Sequence, residues 1–223
     1  MTDVVRRRIA VLIPTFAVPG ILTMFSAAGP AAGAPRIAAI AVLLSTLPVA
    51  AAVFTARKSF TWWRRARTQR AVALAFTVYA DVGTSTFLLL CSSHGLGLAG
   101  CALFAVISSY VAFFGGRATV VVHLVLTTVV IAVMTALVLQ EQPMGAMAII
   151  AAATSIWLAV NATMSIVSTT SMSLHQHLER QIDSARTDPL TGLLNLRGLE
   201  VQATRQLRGR SQVGFLLVDL DHF

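Results

Sequence analysis

Long apolar runs alternate along this chain with short polar, mostly basic connections. Six runs can be counted: Ile9–Ala28, Ile37–Ala56, Ala71–Cys91, Leu96–Gly116, Ala118–Leu139 and Gly145–Thr169. Each lies near the roughly 20 residues that a helix needs to cross the hydrocarbon core of a bilayer. Prolines at positions 14, 19 and 48 fall inside the first two runs. In water they would argue against helix, but membrane helices tolerate them where neighbours satisfy the freed backbone groups. The pattern predicts an α-helical membrane bundle of six transmembrane helices over residues 1–171, followed by the start of a cytoplasmic α/β domain.

After Met172 the pattern changes. Leu174, Leu178, Ile182 and Ala185 recur at spacings of four, four and three, with His175, Gln176, Glu179, Arg180 and Asp183 between them. A narrow apolar stripe on a polar helix predicts a helical linker over 172–187, continuing out of the last span and suited to a short parallel dimer stalk. The alternative is a surface helix lying on the membrane or the next domain. From Asp188 to Phe223 the chain reads as soluble. Pro189 and Gly192 mark a turn, Gly198–Leu207 a helix closed by Arg205, Arg208 and Arg210, and Val213–Val218 a buried strand.

Composition agrees with a bilayer as solvent. Of 223 residues, 56% are hydrophobic and 12% are charged, about half the charged share of an ordinary soluble domain. The net charge of +8 does not indicate nucleic acid, because its position matters more than its sum. Between Ala71 and Ile182 the only charges are Asp81, Arg117, Glu141, Glu179 and Arg180, while basic residues gather at Arg6–Arg8, at Arg57–Arg70 and after Leu178. Basic loops stay on the cytoplasmic side, so both termini are expected there, in an inner (cytoplasmic) membrane protein. Gly29–Arg36, Ser92–Gly95 and Gln140–Met144 would then be the outside connections. Trp62 and Trp63 flank the basic loop as an interfacial belt would. Arg6–Arg8, the first apolar run and the Ala/Gly-rich Ala27–Ala34 have the outline of a signal peptide. The run exceeds a typical h-region in length, and it is read as a span.

Asp219 and Asp221 close the predicted strand two residues apart, so they point the same way if the strand continues. Carboxylates so placed can hold Mg²⁺ together with substrate phosphates; alone, such a pair also fits solvated turn aspartates. The wider pattern is more specific. Asp188-Pro189-Leu190-Thr191-Gly192-Leu193-Leu194-Asn195, about twenty residues of mostly helix, and then Phe215-Leu216-Leu217-Val218-Asp219-Leu220-Asp221-His222-Phe223 closely resembles the opening of GGDEF domains. In that family a D-x-L-T-G-L-x-N-R-R turn starts the domain and a first strand ends in D-x-D-x-F-K.

The resemblance covers 188–223 and implies a diguanylate cyclase: two GTP condensed into cyclic di-GMP by a homodimer, with Mg²⁺ at each site. It makes Asp219 and the Leu220 carbonyl metal ligands, gives the triphosphate backbone amides near His222 and Phe223, and leaves Asp221 a supporting residue. Asp188, Leu190, Thr191, Gly192 and Asn195 carry the structural motif. Leu196 departs from the family's first arginine, although Arg197 keeps the second; this puts a turn ion pair in doubt. The 223 residues do not include the family's phosphate-binding lysine, its guanine-reading Asn and Asp, or the G-G-D/E-E-F hairpin. The polypeptide as given is therefore expected to be an inactive fragment of the cyclase.

Within the spans, Asp81, His123 and Asn161 stand out. Intramembrane ionisable groups are costly and usually face the bundle interior. Asp81 and His123 are a candidate ligand or proton sensor; the bland alternative is a hydrogen-bonded pair that fixes helix packing. Cys91 and Cys101 read as buried thiols rather than a disulfide. Gly95-x-Gly97-x-x-Gly100 matches a dinucleotide fingerprint, but it opens an apolar span, where close helix packing explains it better. Asn161-Ala162-Thr163 lies within a span and is no glycosylation site. The expected function is a membrane-bound cyclase acting on GTP, embedded in lipid and without nucleic acid. A degenerate, non-catalytic GGDEF regulator, or one preceding a cyclic di-GMP phosphodiesterase domain, is the first alternative. A transporter is the second, and no internal repeat supports it.

Overall fold

A computed structural model describes residues 2–55, 66–141, 145–184, 188 and 190–207. The chain divides into two compact units, Met1–Thr169 and Thr170–Phe223. Five helices are long and apolar enough to cross a membrane: Ala34–Thr55, Arg70–Leu90, His94–Phe114, Arg117–Glu141 and Ala146–Leu178.

The first apolar run departs from the expected single span. It forms α1 (Thr2–Thr15) and then the short α2 (Val18–Thr23), joined through Phe16 and Ala17. Pro19 has no N–H to give to the turn before it, so the regular ladder stops at Pro14–Thr15. The Ala17 amide instead closes a tighter turn on the Pro14 carbonyl at 3.0 Å. Past Thr23 the backbone turns again, and Pro30 forms a β-bridge with Cys91. Neither piece alone has the length of a span, although α1 packs along the next helix.

The remaining elements of the first unit are α3 (Ala34–Thr55), α4 (Ala66–Leu90), α5 (His94–Gly100), α6 (Phe104–Phe114) and α7 (Arg117–Glu141). One turn of 3₁₀ helix, Cys101–Leu103, joins α5 to α6. Helix α8 (Ala146–Ser184) begins in this unit and runs on into the second. The core lies among α4, α5–α6 and α7, around Phe104, Ile107, Val111, Met134 and Val138. Helix α3 buries only Ala39 and Ala50.

Over the first half of α7 burial is inverted relative to a water-soluble helix, while its second half buries Val130, Ile131, Met134 and Val138. Its inward side carries Thr119, His123 and Thr127, whereas Val121, Val125, Val129 and Val133 are exposed at four-residue spacing. Aliphatic side chains outward and polar ones inward suit a hydrocarbon solvent. The three connections expected on one side of the bilayer also meet at one end of the unit. Ser92 and Ser93 amides donate to the Gly29 and Ala28 carbonyls (both 3.1 Å). The Arg36 guanidinium donates to the Met24 carbonyl, and His94 pairs with Glu141.

In the second unit, a turn around Asp188–Asn195 leads into α9 (Leu196–Leu207), two residues earlier than the expected helix start. No strand forms among the described residues; the predicted strand Val213–Val218 lies outside them.

Candidate functional site

Helix α4 places Thr77, Asp81 and Ser85 four residues apart, and α7 does the same with Thr119, His123 and Thr127. Side chains at i and i+4 share a helix face, and all six are buried. Two polar ladders thus run through an otherwise apolar interface.

At their middle rungs Asp81 and His123 meet, each completely excluded from solvent. His123 Nδ1 lies 3.0 Å from Asp81 Oδ1 and 2.9 Å from Oδ2. The other ring nitrogen, Nε2, lies 2.8 Å from Ser108 Oγ on α6, which is also fully buried. Three helices are therefore joined through one imidazole. Most flanking hydroxyls turn back on their own helices: Thr77 donates to the Ala73 carbonyl at 2.8 Å, Ser85 to Asp81 at 2.6 Å and Thr127 to His123 at 2.8 Å. Such back-bonding lets a hydroxyl sit in an apolar interface without an unmet donor. Ser109 likewise donates to the Ala105 carbonyl at 3.1 Å. Ser108 does not; its hydroxyl is used on His123.

Of the residues singled out from sequence, Asp81 and His123 come together directly. Tyr79, two residues before Asp81, instead shares a 2.8 Å hydrogen bond with Ser45 of α3. Asn161 donates to the Trp157 carbonyl of its own helix at 2.8 Å. Cys91 and Cys101 are separate free thiols, each facing a carbonyl four residues back. Two of the three fingerprint glycines sit at close helix contacts. A Cβ on Gly97 would come within 3.0 Å of Met134 Sδ and 3.1 Å of the Leu88 carbonyl, and one on Gly100 would run into the Leu88 side chain. Gly95 meets only its neighbour Ser93. Ser108 was not singled out from sequence. Its signal, a serine fifteen residues from a histidine on the next span, cannot be told from that of Ser109 until helix rotation is known.

The described motif residues, Asp188 and 190–195, form a hydrogen-bonded turn, and Pro189 lies outside the described residues. Asp188 Oδ1 accepts from the backbone N–H groups of Leu190 (2.9 Å) and Thr191 (3.0 Å) and from the Thr191 hydroxyl (3.2 Å). The Thr191 and Leu190 amides hold the Asp188 carboxyl below the usual carboxylate range. The Gly192 amide closes on the Asp188 carbonyl at 2.9 Å, and Gly192 has φ +69°, the left-handed region where glycine is favoured. Asn195 Oδ1 caps α9 by accepting from the Gly198 N–H at 2.9 Å. Asp219, Leu220, Asp221, His222 and Phe223 lie outside the described residues. Among the described residues no three His, Cys, Asp or Glu side chains are grouped so as to hold a metal.

Fold and site together define a helical membrane protein with a buried Asp–His–Ser cluster in its core. Compared with known protein families, curated proteins and solved structures, the chain has no match.

Proposed function

We propose that this chain is the membrane sensor and the opening of the output domain of a membrane-bound diguanylate cyclase. The cyclase would lie in the bacterial inner membrane with both termini cytoplasmic. The whole protein would act as a homodimer on GTP with Mg²⁺ held in part by Asp219 and the Leu220 carbonyl. The observation that favours this reading is the turn at 188–195. Asp188, Thr191, Gly192 and Asn195, four of the residues that carry the GGDEF resemblance, each have a distinct conformational task there. Asp81 and His123 would form the input site, where side-chain hydrogen bonds tie α4, α6 and α7 together.

The test is GTP turnover by the protein translated from the complete reading frame, purified into lipid nanodiscs with Mg²⁺. Cyclic di-GMP is the expected product. A folded, complete protein that binds GTP without making it would exclude the cyclase and leave a regulatory role. Replacing Asp81 by Asn in that protein is expected to change how output responds to conditions. An unchanged response would remove Asp81 from the input site.

A further inference from the structure

The chemistry of the Asp81–His123–Ser108 cluster narrows what an input site there could receive. Ser108 Oγ has one hydrogen bond among the described residues, to His123 Nε2, and the residue is fully buried. A buried hydroxyl hydrogen without an acceptor is costly. With the imidazole neutral and its proton on Nδ1, facing both Asp81 oxygens, Nε2 is bare and the Ser108 hydroxyl donates to it. In this state the carboxylate is ionised, the imidazole is neutral, and the cluster carries one net negative charge.

Among the described residues no cation is paired with either group. The other described titratable or charged side chains on the packed helices are engaged elsewhere or stand at helix ends. On α4, Arg70 lies beside Gly116 near the start of α7, and Tyr79 bonds Ser45. On α6, Tyr110 stacks between Phe76 and Phe114. On α5 and its 3₁₀ extension, His94 pairs with Glu141 at the far end of α7, and Cys101 faces the Gly97 carbonyl. Arg117 is the first residue of α7. A lone charge in such surroundings favours uptake of a counter-charge, and the smallest one, a proton, needs no space of its own in a fully buried cluster.

We propose that the cluster is a binding site for a single proton and that Ser108 reports whether the proton is there. This rests on the sensor reading above and specifies its ligand. The step balances simply. A proton from water joins the Asp81–His123 pair, and its charge cancels the net negative charge. Nε2 now carries hydrogen and donates to Ser108 Oγ, so the Ser108 hydrogen must leave Nε2. A helical serine hydroxyl can turn to the carbonyl four residues back, as Ser109 does to Ala105, and for Ser108 that acceptor would be Phe104. No covalent bond between heavy atoms changes. Proton binding thus alters how α6 is held to α7, immediately after the 3₁₀ turn at Cys101–Leu103, and a break in helix regularity is where a span bends most readily.

The test uses the full chain in lipid nanodiscs, with ¹⁵N-labelled histidine and ¹³C-labelled serine, titrated by NMR from about pH 4 to pH 9. His123→Asn identifies the His123 signals. The expected result is one transition in the His123 ring nitrogens, with the Ser108 Cβ moving at the same midpoint and Ser109 static. Asp81→Asn removes the negative charge and is expected to lower proton affinity at His123 at least about ten-fold. Ring nitrogens that stay constant across the range in the wild-type chain would overturn the proton site, and so would a midpoint unmoved by Asp81→Asn. A titration that Ser108 does not follow would overturn its reporting role. These signals come from the membrane unit alone, so they stand or fall separately from cyclic di-GMP output. A clean titration with no effect on output would leave the proton site in place and refute the sensor reading.

Discussion

Removing His123 should cost far more than removing Asp81 and His123 together. Among the described residues His123 Nδ1 is the sole hydrogen-bond partner of both carboxylate oxygens, at 2.9 and 3.0 Å, and neither residue is exposed. His123→Leu therefore strands a buried carboxylate, a loss of about 3–5 kcal/mol for a broken buried pair. Asp81→Val leaves a buried N–H without an acceptor, about 1–3 kcal/mol. In the double variant neither group is stranded, and what is lost is mainly packing around Ser108. The coupling energy of this double-mutant cycle should therefore be about 2 kcal/mol or more. An ordinary hydrogen bond between membrane helices averages about 0.6 kcal/mol and reaches about 1.7, so the measurement separates the two cases. The assay is reversible unfolding of the full chain in mixed micelles of mild detergent and SDS, followed by tryptophan fluorescence. Coupling below about 0.5 kcal/mol would mean that the two side chains act independently. The reasoning from their contact would then be wrong.

Two further outcomes follow from local geometry. Gly97→Ala and Gly100→Ala press a methyl group onto Met134 and Leu88 and should each destabilise the bundle by about 1–3 kcal/mol. Gly95→Ala, which meets only the Ser93 hydroxyl at 3.7 Å, should stay within about 0.5 kcal/mol in the same unfolding assay. The turn at 188–195 should depend on pH through Asp188, whose carboxyl is lowered by the Thr191 and Leu190 amides. A depressed carboxyl stabilises the turn above its unfolded value, and that stabilisation disappears as pH falls through the folded value. NMR shifts of the Leu190 and Thr191 amides should move together in acid, and Asp188→Asn should abolish the shared transition.

What the sequence makes legible follows the scale on which each signal is written. Run length alone locates the five long helices, because crossing a bilayer imposes a length that few other structures need. Asp81 and His123 are visible because an ionisable group is rare in a span. That they touch was only one reading, since their separation of 42 residues fixes neither depth nor rotation. Ser108 was invisible because hydroxyls are cheap in membrane helices when they bond backward, so its presence carries no information until its partner is seen. The first run is not one helix because Pro19 cannot donate to the turn before it, whereas Pro14 is accommodated inside α1; run length alone does not distinguish the two prolines. The 3₁₀ turn at Cys101–Leu103 has no proline to announce it, and nothing in the local residue types separates it from its surroundings.

Helix α8 shows how a change among the spans could be conveyed beyond them. Ile149, Val160 and Ser171 are buried at eleven-residue spacing, with Ala153 and Met164 repeating the pattern four positions later. An eleven-residue repeat keeps one face of a nearly straight helix in line. Positions 156 and 174, and 160 and 178, lie five turns apart and so share that face. The side covered along Ile149–Met164 therefore continues at Leu174 and Leu178, where it is exposed. If output depends on the phase of this face, insertions between Ser171 and Leu174 should act by angle and not by length. On the cyclase reading proposed above, seven alanines, which turn the downstream helix by about 20°, should leave cyclic di-GMP production by the whole protein within about two-fold, an angular error well inside the width of an apolar stripe. Five alanines turn it by about 140° and should abolish production or lock it in one state, although the insert is shorter. Equal output from both insertions would show that rotational phase carries nothing, and that α8 acts as a tether between the spans and the turn at Asp188.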